Sequence, residues 1–412
     1  MTNINHIRFS SRHGEVVKYL FYNDNTTLRD LSHLLQITFP TASKLIEDLL
    51  QANFVIIHEE SRSSGGRRAA QYQLNAEAGY IICVDAGRLN TKLAIMDLNR
   101  NVVANRHFRS RVFQHENGFL PLMVENIEEM KAELDIPNEK YIGMGIGIPG
   151  FVNSDLGISY SFLNFYDKPI RDVLEDAFKL PVVISNDVNL MAYAESKFGA
   201  AIDQSDALVI NLGWGIGLGL ILDGAVYLGA DGFAGEFGHI QVREDGEQCH
   251  CGKYGCLETV ASGEAIAKEA IRRLQDGEKS LLIDDFQEDP KNISARKIVT
   301  AAQAGDEFSI NLLHESGTAI GKTLAMVLQI LNPKTIILGG KHSKAGALLT
   351  NSIQQSLLRN TNPKIGSNIS IQNSTLGENS NILGAASMVM EKINYAGILQ
   401  RNMAINISGK NL

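Results

Sequence analysis

Four residues able to ligate a metal stand close together in the segment HIQVREDGEQCHCGKYGC: His239, Cys249, Cys251 and Cys256. The spacing H-x9-C-x-C-x4-C offers one imidazole and three thiolates. That is the donor set of a closed, tetrahedral structural zinc site with no coordination position left for catalysis. His250, between two of the cysteines, is set aside as a ligand because adjacent residues on a tight loop rarely point at one ion. The fourth cysteine, Cys83, lies in the apolar run YIICVDAG and reads as core. Three of four cysteines within eight positions suit a metal better than a disulfide framework.

A second set of polar residues follows apolar runs. Asn186 and Asp187 end the strand-like PVVISNDVN, and Glu236 and His239 lie in the glycine-rich GADGFAGEFGH. Strand ends are where α/β sheets bind ligands. Carboxylates and an amide suit sugar hydroxyls, since each oxygen accepts a hydrogen bond and the amide also donates. A carboxylate there could act as general base on one hydroxyl. The competing reading is that Asn186-Asp187 simply caps the helix DVNLMAYAE. A zinc would pin the loop that carries Glu236 and Glu258 and so organise the ligand pocket indirectly.

The elements that must position these groups are legible in outline. YIICVDAG, TKLAIMDLN and VVANRHF read as strands, GFLPLMVENIEEMKAEL as a helix and YIGMGIGIPG as a strand entering a tight turn. The order recurs in DALVINLGWG, GLGLILDG and AVYLGA, followed by helices near 263–272, 294–304 and 308–331 and by the buried strand KTIILGG. Two similar halves imply two α/β lobes with a cleft between them. The expected boundaries are 76–190 for the first lobe, completed by a C-terminal helix at about 380–398, and 191–379 for the second, which carries the zinc site.

Residues 1–75 have a different texture. Val16, Val17, Leu20 and Phe21 keep helical spacing. Thr27 is the N-cap of a second helix, with Asp30 three residues on and Leu28, Leu31, Leu34 and Leu35 on its apolar side. A third helix starts at Thr38, tolerates Pro40 in its first turn and has Leu45, Ile46, Leu49 and Leu50 as its apolar face. The strand-like pair FVIIHEE and AAQYQLN follows, joined by SRSSGGRR. This is the order of a winged helix-turn-helix. Thr41, Ser43, Lys44 and Asp48 fall off the apolar stripe of the third helix, where they could meet bases and phosphates. The wing offers Arg62, Arg67 and Arg68 around Gly65 and Gly66, a backbone that can approach a groove closely and arginines that can probe it. The alternative is a protein-interaction module with a solvated basic loop.

At 412 residues the chain is long enough for two or three domains, and its 44% apolar and 20% charged content is that of a globular protein. A net charge of −8 argues at first against a nucleic-acid partner. Counting by segment changes that inference: residues 1–75 hold eight basic and seven acidic side chains, so the head is +1 and the remainder −9. The opening MTNINHIRFSSRHGEVV lacks the apolar region of a secretory signal, and the most apolar stretch, between Asp206 and Asp223, is broken by Asn211 and four glycines. A cytoplasmic protein without a membrane span is expected.

SSGGRR followed by LNAEAGYIICVDAG, then GIGIPG, NDVN, GEFGH, CHCGKYGCLE and LNPKTIILGG, run in the order found in the ROK family of sugar-responsive repressors and sugar kinases, which the chain resembles over nearly its whole length. The resemblance implies an actin-like, RNase H-like two-lobed fold, a zinc held by His239, Cys249, Cys251 and Cys256, and sugar contacts from Asn186, Asp187, Glu236, His239 and Glu258. It also makes Asp187 the general base in members that are kinases. Those members carry a DxGGT phosphate loop and a second Gly-Thr-Gly loop. Here the first reads Asp85, Ala86, Gly87, Arg88, Leu89 and the second Gly213, Trp214, Gly215. Two bulky replacements and two lost hydroxyls work against ATP binding, which needs exposed backbone N–H groups. The expectation is a non-enzymatic repressor of carbohydrate uptake or catabolism genes, a homodimer or homotetramer released from operator DNA when a sugar or sugar phosphate closes the cleft. The alternatives are an ATP-dependent hexose or N-acetylhexosamine kinase carrying a DNA-binding domain, and a constitutive DNA-binding protein with a vestigial sugar fold.

Overall fold

The apolar spacing of the N-terminal segment produces the helices it predicts. In this computed structural model, which describes residues 8–58, 69–88, 90–109, 118–164 and 166–400, helix α1 (Ser11–Tyr22) buries Val16, Val17, Leu20 and Phe21. Strand β1 (Thr26–Thr27) runs into α2 (Leu28–Leu34). Thr27 and Asp30 cap that helix reciprocally: the Thr27 N–H donates to the Asp30 carboxylate at 2.9 Å, and the Asp30 N–H to the Thr27 hydroxyl at 3.3 Å. Helix α3 (Phe39–Gln51) starts after Thr38 with Pro40 in its first turn. Strands β2 (Val55–His58) and β3 (Gln71–Leu74) join β1 in an antiparallel sheet of order β1-β3-β2. Two expectations shift. Leu34 is 54% exposed, because α2 is only two turns long and Leu31 alone reaches the core. Asp48, expected on the exposed side of α3, is buried. Arg62, Gly65, Gly66, Arg67, Arg68 and Leu89 lie outside the described residues.

Beyond the head, two five-stranded sheets share one plan. The first is built from β4 (Tyr80–Ala86), β5 (Asn90–Asp97), β6 (Val102–Arg109), β7 (Tyr141–Ile148) and β10 (Val182–Asn186) in the order β10-β7-β4-β5-β6. The short ribbon β8 (Val152–Asn153) and β9 (Ile158–Ser159) precedes β10. The second contains β11 (Ala207–Leu212), β12 (Ile216–Leu222), β13 (Ala225–Tyr227), β14 (Thr335–Gly339) and β15 (Ser370–Asn373) in the order β13-β12-β11-β14-β15. In each, three strands meander antiparallel and two more add in parallel. This repeat is the actin-like arrangement. Helices α4 (Phe119–Leu134) and α5 (Ile170–Phe178) accompany the first sheet, and α6 (Asp187–Phe198) follows it. The second is accompanied by α7 (Glu258–Ala261), α8 (Gly263–Gln275), α9 (Ile283–Glu288), α10 (Ala295–Gln303), α11 (Glu307–Leu331), α12 (Ala347–Asn360) and α13 (Pro363–Gly366).

The described residues form two compact units, one up to Leu190 and again from Asn381, the other Met191–Ser380. The first includes the head. Its closing helix, α14 (Ser380–Lys392), seats against β7 because Gly143 and Gly145 fall on one face of that strand. A methyl at Gly145 would lie 2.4 Å from the Ala385 carbonyl oxygen, and one at Gly143 2.2 Å from Ile393. The run YIGMGIG is therefore a seat for a helix as well as a strand. Among the described residues no helix is long and apolar enough to cross a membrane.

Candidate functional site

The His and Cys side chains of the metal motif converge in the second unit. His239 ends a short 3-10 turn, Phe237–His239, and the cysteine loop is held by the Cys249 N–H donating to Lys253 O at 2.7 Å and the Gly252 N–H to Cys249 O at 2.9 Å. Cys249 Sγ lies 3.5 Å from His239 Nδ1, and Cys251 Sγ lies 3.7 Å from Cys256 Sγ. All four donor atoms fall within 4.8 Å of one another. Zinc–sulfur bonds of about 2.3 Å give a tetrahedron with edges of about 3.8 Å, so the donor set fits such an ion. Burial pushes the Cys249 thiol up to about 12 and also raises Cys256. A cation held there would bind thiolates, and its binding would release their protons.

The other ring nitrogen, His239 Nε2, lies 3.6 Å from Glu236 Oε2. Glu258 opens α7 and is held at both oxygens: Oε2 accepts the Ile216 N–H at 3.1 Å, and Oε1 lies 3.2 Å from His250 Nδ1. Glu236, His239 and Glu258 thus sit on the metal loop and its flank. Asn186 and Asp187 belong to the first unit, at the β10–α6 junction. Asn186 donates through Nδ2 to Gly150 O at 2.7 Å and accepts the Val188 N–H at 2.9 Å. The capping reading therefore describes Asn186 correctly, while Asp187 is the first residue of the helix, half-buried.

At the two motifs compared with phosphate loops, several described groups are bonded within the protein. Asp85 accepts a hydrogen bond from Asn381 Nδ2 at 3.2 Å. In the second unit, the Gly263 and Glu264 N–H groups donate at 3.2 Å to the carbonyls of Gly213 and Trp214, and the Ala265 N–H donates to Ser262 Oγ at 3.1 Å. The first donors of α8, which an anion would need, are thereby used. His342 packs so tightly here that a methyl at Gly263 would lie 2.2 Å from its ring. Burial lowers its pKa to about 4, so it contributes a neutral imidazole and no cation.

In the head, Thr41 and Thr38 hydroxyls share a bond of 2.8 Å, Ser43 donates to Glu47 at 3.2 Å, and Lys44 reaches Asp48 at 2.8 Å with its own side chain 66% exposed. Buried Asp48 also lies 3.3 Å from His13 Nε2, linking α1 to α3. Burial, the largest influence, lowers the His13 pKa against the opposing pull of Asp48. Because the folded pKa lies below the unfolded 6.5, this histidine favours folding above that pH and withdraws its contribution as pH falls through and below it. Amides of α1 should therefore exchange faster at pH 5.5 than at 7.5, after correction for intrinsic rates. Unchanged protection would show that His13 carries no such linkage.

Residues not anticipated from sequence attach the head to the rest of its unit. The Tyr22 hydroxyl donates to Ser387 O on α14 at 3.2 Å, Lys18 pairs with Glu391, and Gly14 faces Tyr395. Arg100, at φ 65° in the β5–β6 turn, clamps Asp24 with bonds of 2.8 and 2.7 Å and donates to Phe21 O.

Comparison with known proteins agrees with this anatomy. The xylose repressor of Bacillus spizizenii is 28% identical over 377 residues, covering 91% of this chain and 94% of that protein. A glucokinase of Halalkalibacterium halodurans is 36% identical over 256 residues, 61% of this chain and 77% of the enzyme. The crystal structure of a ROK family transcriptional regulator, a homologue of the E. coli MLC protein, superposes with a TM-score of 0.79 at 27% identity, covering 96% of this chain and 99% of that one. Residues 81–392 match the ROK family, and the chain belongs to it.

Proposed function

We propose that this chain is a sugar-responsive transcriptional repressor with a winged helix-turn-helix head, a structural zinc and no phosphoryl-transfer activity. One observation carries the reading: the three-helix head is fastened to α14, the helix whose second residue, Asn381, holds Asp85 at the end of β4. A change at that strand end thereby has a covalent and hydrogen-bonded route to the head. A kinase has no use for such a route. The similarity to a xylose repressor over 91% of the chain supports the same choice.

Operator DNA is the macromolecular partner, with α3 offering Thr41, Ser43 and Lys44 and the wing Arg62, Gly65, Gly66, Arg67 and Arg68. Asn186, Asp187, Glu236, His239 and Glu258 are the groups for a sugar or sugar phosphate. His239 serves zinc through Nδ1 and leaves Nε2 for the ligand side. A homodimer or homotetramer presents two heads to two half-sites, and zinc fixes the loop carrying Glu236 and Glu258. The domains are the head to residue 75, a first lobe from 76 to 190 with the C-terminal helix, and a second lobe from 191 to 379.

The test uses purified full-length protein and DNA fragments from upstream of its own gene and neighbouring carbohydrate genes. Fluorescence anisotropy should show binding that one of D-glucose, N-acetyl-D-glucosamine or D-xylose, free or phosphorylated, reverses. A coupled ADP-release assay with the free sugars should stay at background, and turnover lost on Asp187→Asn would establish the kinase instead. DNA binding that no sugar alters would leave a constitutive DNA-binding protein.

A further inference from the structure

His250 stands between two cysteines of the metal motif, with Nδ1 3.8 Å from Cys249 Sγ, and its geometry also suits other work. Its ring stands edge-on to that of His239, centroids 5.2 Å apart and planes at 74°. One donor or acceptor atom from each of His239, His250 and Glu258 lies within 4.8 Å of the others. The side chain is 48% exposed, whereas that of Glu258 is 13% exposed. A carboxylate oxygen only accepts, so the contact from His250 Nδ1 to Glu258 Oε1 places the ring hydrogen on Nδ1. In the neutral ring Nε2 is then an acceptor. Among the described residues it has no partner.

We infer that His250 is a further effector-binding residue. Through Nε2 it accepts a hydrogen bond from a sugar hydroxyl or amide N–H, while Nδ1–H holds Glu258 ready for a neighbouring hydroxyl. The ligand class is a cyclic sugar that presents two adjacent donors on this edge. An analogue that lacks one of them leaves Nε2 or the carboxylate unmatched, and the loss costs more at Glu258, the more buried of the two. This inference rests on the sugar-responsive reading above and adds to it the chemistry of one edge of the ligand.

Two substitutions separate contact from positioning. His250→Phe keeps a flat ring and removes both nitrogens. His250→Asn keeps a donor near the place of Nδ1, hence the hold on Glu258, and removes only the acceptor. Calorimetric titration of the full-length, metal-loaded protein with D-glucose, N-acetyl-D-glucosamine and D-xylose identifies the tightest of the three. Its monodeoxy analogues are then titrated against wild type and both variants, with metal content measured for each. In the wild type one deoxy position should weaken binding about tenfold, and in both variants that penalty should fall below about threefold because the parent sugar has already lost the contact. Wild-type affinity in His250→Asn with weak binding in His250→Phe would reduce the residue to a positioning role and overturn the contact. Deoxy penalties unchanged in both variants would overturn the inference while leaving sugar sensing intact. If the wild type bound none of the three sugars or their 6-phosphates, the sugar reading itself would fall, and this inference with it.

Discussion

Cys256→Ser is expected to abolish stoichiometric metal binding, from about one zinc per chain to less than a tenth, and to lower the melting temperature of the metal-loaded protein by 10 °C or more. Cys256 is fully buried and its sulfur is one edge atom of the four-donor cluster. Serine keeps the volume but offers a hydroxyl that does not ionise as a thiol does. Structural zinc contributes about 10 kcal/mol or more in small domains, and a larger unit with its own core shows only part of that. The effect should be local. Glu258 follows two residues after Cys256, and Phe237 and Leu257 belong to the core of the second unit, so the loop that carries the ligand groups should lose order first. Metal analysis by mass spectrometry and differential scanning calorimetry check both parts. A variant that retained a full equivalent of zinc, or lost it with no change in melting, would remove zinc from the account of this fold. A chelator applied to the wild type should reproduce the shift, and restored zinc should reverse it.

The metal cluster was legible because its information is local: four residues within eighteen positions, of two types that have few other reasons to cluster. The repeated sheet was legible for a related reason, since buried parallel strands such as YIICVDAG and KTIILGG are continuous apolar runs bounded by glycine. Edge strand β15, SIQN, carries no such signal: it is polar and pairs on one side only, and nothing in those four residues distinguishes it from a loop. Asp48 was misplaced because a helical wheel ranks residues by type, and burial of a carboxylate depends on a partner 35 positions away, His13. The contact of His250 is hidden similarly. Its neighbours in sequence belong to the metal motif, while its partner in space, Glu258, is reached only after the loop has folded. The attachment of Tyr22 to Ser387 spans 365 positions and has no sequence signature.

If the chain senses sugar without phosphorylating it, the bonding at its two loop motifs supplies the physical reason. An ATP site spends binding energy on phosphate, and here the first N–H groups of α8 are bonded to Gly213, Trp214 and Ser262 instead. In the proposed repressor Asp187 would be useful without chemistry, because a carboxylate that would take a hydroxyl proton also accepts that hydroxyl's hydrogen bond.

The sharpest consequence is that regulation and DNA binding should separate at the junction of the head with α14. Gly14→Leu puts a side chain where a bare methyl would already approach Tyr395 to 3.1 Å, wedging α1 away from the C-terminal segment. Lys18→Ala with Tyr22→Phe removes the ion pair to Glu391 and the bond to Ser387 without adding bulk. Neither change touches α3, so operator affinity in the absence of sugar should stay within about threefold. The effect of sugar should not survive. Coupling between two sites is commonly worth about 1 to 3 kcal/mol, a factor of roughly 5 to 150, and it requires contacts that differ between the two states. With those contacts cut, the sugar that releases the wild-type protein should change operator affinity less than twofold, while its own Kd for the protein stays the same. Anisotropy titrations with and without that sugar, paired with calorimetry for sugar binding, read both quantities. Full sugar-dependent release in both variants would show that the signal reaches the head by another path, such as the Arg100 clamp on Asp24 and Phe21. Arg100→Ala would then be the variant that uncouples. Loss of DNA binding in Gly14→Leu alone, with the double variant still regulated, would mean that the wedge damages the head and that α14 carries no signal.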